Sequence, residues 1–141
     1  MGVRVRVGLS IGGKVIETVA LVNSGFETDT PQVIVPRTML SARDIGPELG
    51  RSVTMEYDTA GGPIAMLVYP RSCKVSVLEE DRKPKWIEAD VVVSPVEREV
   101  VLSDALIEEL GIIILSPKRG HWRFTDDPVD RVRSSYRPHY W

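Results

Sequence analysis

Cysteine, asparagine and glutamine each occur once in this chain of 141 residues, as Cys73, Asn23 and Gln32. A single cysteine excludes an intrachain disulfide framework and any zinc site built on cysteines. The two histidines, His121 and His139, have no carboxylate or cysteine cluster at ligand spacing, so the pattern points to no metal. No run approaches the ~18 consecutive apolar residues of a membrane-spanning helix. An excess of one charge is also lacking. Eighteen Lys and Arg against twenty Asp and Glu leave a net charge of −2, with no basic surplus to hold a nucleic acid backbone. The opening Met1-Gly2-Val3-Arg4-Val5-Arg6-Val7 lacks the apolar core of a signal peptide, so a cytoplasmic protein is expected. Scarce amides beside abundant Glu and Arg are the pattern of heat-adapted proteins, and a thermophilic source is expected.

Valine is abundant, with 20 copies, mostly in short runs of period-2 alternation. The length is that of one domain with a sizeable core. Val3 to Val7 alternates strictly and reads as a half-buried strand, and Gly12-Gly13 turns the chain into a second strand over Lys14 to Val22. Further strands are predicted at Gln32–Val35, Arg51–Asp58, Ile64–Tyr69, Arg71–Leu78, Lys85–Val93, Ile112–Leu115 and His121–Phe124. A brief helix is predicted from Thr38 to Ile45. A clearer one runs from Ser103 to Leu110, with Ser103 as N-cap and Gly111 as the left-handed stop. Many short strands with one good helix predict a mostly β protein, a small barrel or sandwich. Residues 126–141 are polar, lack periodicity and end in Tyr136, Tyr140 and Trp141. They read as a tail, disordered or docked on a partner subunit.

Two apparent motifs dissolve on inspection. Gly8 to Lys14 has the glycine and lysine spacing of a phosphate-binding loop, but Val15 stands where Ser or Thr must hold magnesium. The β-branched run that follows is also a strand rather than a helix, so a hairpin turn is expected. Cys73 lies among alternating valines and reads as a buried, inert thiol.

Ala20-Leu21-Val22-Asn23-Ser24-Gly25-Phe26-Glu27 is different. An apolar strand running into a small polar residue, Ser and Gly resembles the active-site turn of retropepsin-like aspartic proteases, apolar-apolar-Asp-Thr/Ser-Gly. Two more features follow in the family's order. The Gly-rich tip Tyr57-Asp58-Thr59-Ala60-Gly61-Gly62-Pro63 lies where the flap comes, and Glu99 to Ile112 is similar to the second signature, with Ser103 where Gly is usual. The resemblance covers residues 1–125. It implies a closed acid-protease barrel with a short C-terminal helix, working as a homodimer on an extended peptide or protein substrate, without cofactor, metal, nucleic acid or membrane. By the same resemblance, Asn23, Ser24 and Gly25 occupy the catalytic turn. Glu27 and the tip residues Asp58, Thr59, Ala60, Gly61 and Gly62 would grip the substrate.

The family's chemistry needs two Asp side chains, one from each subunit, sharing a proton. Asn23 occupies that position. A carboxamide neither takes a proton from water near neutral pH nor gives one to a carbonyl oxygen, so peptidase activity is not expected from the chain as written. The absence of Asn from every other position favours replacement of an Asp. Divergence of a protease scaffold into a dimeric peptide-binding module is the other origin.

Overall fold

Among residues 2–141, which the computed structural model describes, nine strands and two short α-helices form. In order they are β1 (Arg4–Ile11), β2 (Lys14–Val22), β3 (Gln32–Pro36), α1 (Arg37–Ala42), β4 (Val53–Thr59), β5 (Gly62–Val77), β6 (Ile87–Ser94), β7 (Val100–Leu102), α2 (Asp104–Leu110), β8 (Ile112–Ser116) and β9 (His121–Phe124). The phosphate-loop look-alike is the β1–β2 hairpin, with Gly12 and Gly13 at φ of 55° and 78°. Both values are open to glycine at little cost and suit a tight hairpin turn.

Six strands close a barrel in the order β1-β2-β7-β3-β6-β5, with β5 pairing back onto β1. The pairs β2–β7 and β3–β6 are parallel, and the other barrel pairs are antiparallel. Closure settles the choice between barrel and sandwich, and it leaves few unpaired strand edges. Alternation decides which side chains fill it. Val5, Val7 and Leu9 of β1, Val33 and Val35 of β3, and Val91 of β6 are fully buried, together with Met39, Leu106 and Trp122. Each such side chain contributes about 1.5–3 kcal/mol of burial. The intervening residues point outward, and Ile34, Val92 and Val101 form a second buried cluster with Met66 and Val68 on the barrel's outer face.

β5 is one 16-residue strand where the sequence pattern predicts two. Its register against β6 shifts between Tyr69 and Cys73, and Arg71 there has φ of 49°. The Asp90 carboxylate takes the Arg71 amide at 2.8 Å and stabilises the irregular turn of chain. This bulge divides the strand's work. Before it, residues 62–68 pair with β4 as a hairpin whose base, Leu67–Tyr69, also pairs with β6; after it, residues 74–77 close the barrel on β1.

Residues 126–141 lie against their own barrel. Arg133 bridges to Trp122 in the main chain and packs its guanidinium near the Trp122 and Phe124 rings. It pairs with Asp127 at 2.9 Å, Asp81 at 2.8 Å and Glu79 at 3.1 Å. Beyond it the Tyr136 amide donates to the Arg4 carbonyl, and the Trp141 indole donates to the Thr18 hydroxyl at 3.1 Å. The aromatic end and buried arginine thus find partners in cis. No helix among the described residues is long and apolar enough to cross a membrane.

Candidate functional site

Parallel pairing places Val22, the last residue of β2, opposite Leu102, the last residue of β7. The two following turns, at Asn23 and at Ser103, therefore leave the barrel at one level. Between β2 and β3 the chain needs a tight, well-satisfied loop. The Asn23 carbonyl accepts the Phe26 amide at 3.1 Å, and the Asn23 side-chain oxygen accepts the Gly25 amide at 3.0 Å. A side chain on Gly25 would bring its Cβ within 3.2 Å of that same oxygen, so glycine leaves the Asn23 amide room. The Ser24 hydroxyl is exposed.

The second turn braces the first. Asp104 donates its amide to the Phe26 carbonyl at 2.8 Å, and its carboxylate accepts the Thr28 amide at 2.9 Å. Ser103 is extended, with φ of −74° and ψ of 163°, so the position that is usually glycine in the resembled family demands none here. Its hydroxyl caps α2 by accepting the Leu106 amide, and Gly111 ends that helix in the left-handed conformation.

These turns border an open cleft of about 1440 Å³. Its floor includes Ile34, Met66, Val68 and Val101 from the outer apolar cluster, and the β4–β5 hairpin forms its other wall. Of the residues singled out from sequence, Asn23, Gly25, Glu27, Asp58, Thr59, Ala60 and Gly61 line this one cleft. Ser24 and Gly62 are not on its wall. Gly62 instead shapes the hairpin tip, with φ of 106°, where the Thr59 hydroxyl donates to its carbonyl at 2.6 Å.

Among the lining residues that the sequence did not single out, Gln32, Tyr57 and Asp90 form a polar network, and Asp104 braces the Asn23 loop. Tyr57 donates its hydroxyl to the Gln32 side-chain oxygen at 2.9 Å, and the Gln32 amide donates to Asp90 at 3.2 Å. Thr30 donates to the same Asp90 oxygen at 2.7 Å. Burial, with the nearby Asp90 charge adding, pushes the Tyr57 phenol above its usual range, so it remains a donor. The Tyr57 ring meets Phe26 edge-on at 6.0 Å, which ties the hairpin to the Asn23 loop. One signal for this network was present in composition, since the chain's only Gln and only Asn both stand in the cleft.

Elsewhere the chemistry is quiet. Burial pushes the Cys73 thiol up to about 12, with the Asp90 charge adding, as an inert buried thiol requires. Among the described residues no three His, Cys, Asp or Glu side chains are grouped to hold a metal ion. No protein-family profile matches this chain, and no curated protein sequence matches it.

Proposed function

We propose that the chain is one half of a homodimeric retropepsin-like aspartic endopeptidase, held inactive by Asn23 in the position of the catalytic Asp. The observation that carries this reading is the register of Val22 against Leu102, which sets the Asn23 turn beside a cleft bounded by a glycine-tipped hairpin. A single copy offers one such turn. Acid–base cleavage of an amide by carboxyl groups needs two of them within about 3 Å, so that one stays protonated while the other is ionised. A second copy supplies the missing half. Ser24, exposed at the turn, is placed to brace the partner's turn, and the hairpin excludes water from an extended substrate and adds main-chain hydrogen bonds.

With aspartate at position 23, the ionised carboxylate takes a proton from a water, which attacks the scissile carbonyl carbon. The protonated carboxyl donates to the carbonyl oxygen as it gains charge; the first carboxyl then passes the proton it took from water to the amide nitrogen, and as the adduct collapses to acid and amine a diol hydroxyl returns a proton to the second carboxylate. Asn23 performs neither transfer. Its side-chain oxygen still receives the Gly25 amide, so the turn is satisfied without a carboxylate. That same contact favours a second reading, a dimeric module that binds peptide without cutting it.

The test compares the chain as given with Asn23→Asp on an unfolded protein substrate. Cleavage by the variant alone supports the protease half-site. Peptide binding with no gain of cleavage selects the binding module, and neither binding nor cleavage overturns both.

A further inference from the structure

The cleft is sorted by charge. Glu27, Asp29, Glu56, Asp58 and Glu97 line it, and so do Asp90 and Asp104, while none of the eighteen Lys and Arg does. Thirteen carboxylates are left for all eighteen cations elsewhere. The ion pairs follow that division. Arg4 with Glu99, Arg6 with Glu17, Arg82 with Asp126 and Asp127, and the Arg131–Arg133 group all lie away from the cleft. None of the seven cleft carboxylates has a cationic partner among the described residues.

Asp90 makes the imbalance structural rather than a property of a solvated rim. It is 8% exposed, and its donors are the Thr30 hydroxyl, the Gln32 amide and the Arg71 main-chain amide, all neutral. Asp104 is likewise held by the amides of Thr28 and Ala105. Both carboxylates are fixed in place by neutral donors, and neither meets a Lys or Arg side chain within ion-pair distance. Beneath them the floor is apolar, with Ile34, Met66, Val68 and Val101. A concave, low-dielectric wall focuses the carboxylates' field into the groove.

From this combination we infer that the cleft selects an extended segment in which basic side chains alternate with apolar ones. Alternate residues of an extended chain face opposite ways. Apolar side chains settle on the floor while Lys or Arg reaches the carboxylates of the rim. A dimer presents the acidic set twice, and an acidic segment is repelled. This substrate class rests on the reading of the cleft as a peptide groove.

The probes are two fluorescein-labelled peptides of about ten residues with identical Val and Leu positions, one carrying Lys and the other Glu between them. Their fluorescence anisotropy is measured against the chain as given. At about 50 mM salt the Lys peptide binds at least about tenfold more tightly, and the gap closes severalfold at about 0.5 M as screening shortens the field. The combined variant E27Q/E56Q/D58N narrows the gap at low salt. Equal affinity for the two peptides, or tighter binding of the Glu peptide, overturns the charge selection and leaves the peptide groove standing. Binding of neither peptide, at either salt concentration, overturns the groove and the selection together.

Discussion

Gln32 and Ser103 hold each other in both directions: the Ser103 amide donates to the Gln32 carbonyl at 3.0 Å, and the Gln32 amide donates to the Ser103 hydroxyl at 3.0 Å. The same hydroxyl caps α2, so one oxygen joins β3, the end of β7 and the helix. Ser103→Ala removes a cap worth about 1 kcal/mol and leaves the buried Gln32 amide unpaired, at about 1–3 kcal/mol more. Urea unfolding is expected to show a loss of about 2–3 kcal/mol. A loss under about 0.5 kcal/mol, the range of ordinary surface changes, would show that the clasp is not what joins these elements.

Tyr57 tests the hairpin's attachment. Tyr57→Phe keeps the ring against Phe26 and removes only the hydroxyl that reaches Gln32. Global stability is expected to fall by about 1 kcal/mol or less, while amide exchange at residues 53–68 speeds up. Unchanged exchange there would mean that the hydroxyl does not secure the hairpin.

The tail carries a pH signature. Hydrogen bonds from Arg133, with the Phe124 amide and the Arg82 charge adding, hold the Asp127 carboxyl down at about 2 against an ordinary 3.8. The folded state therefore keeps this charge at pH values where the unfolded chain protonates. Its contribution is complete above about pH 4 and is lost as pH falls through about 2. Asp127→Asn is expected to cost about 2 kcal/mol at neutral pH. In paired thermal melts the gap between the two proteins is constant down to about pH 4 and closes toward pH 2. A gap that stays constant down to pH 2 would contradict this.

Local signals in the sequence were strong where one segment decides its own shape. β2 over Lys14–Val22, β9 over His121–Phe124, and α2 with its Ser103 cap and Gly111 stop all follow from alternation, capping or a glycine turn. What needed distant partners was not legible. No short pattern announces that Val22 meets Leu102, because a parallel pair joins residues far apart in the chain. The single long β5 was hidden by Pro70 and by Arg71, whose positive φ depends on Asp90 accepting its amide. The local sequence does not reveal the partners of Arg133, because Asp81 and Glu79, which hold it, are some fifty residues earlier. In the site, Asn23, Gly25 and Glu27 are visible as a motif and Gln32 only as the chain's single Gln, whereas Asp90 enters through the fold alone.

In the proposed enzyme, two copies of this chain make one carboxyl site when residue 23 is aspartate. The pH–rate profile of Asn23→Asp on an unfolded protein substrate, taken at two protein concentrations, tests it most directly. A bell between about pH 3 and 7, where a shared-proton dyad works, is expected. The specific rate is expected to rise with protein concentration until the dimer saturates. No cleavage at any pH in that range, from a variant shown to be folded and dimeric, would contradict the proposed carboxyl site.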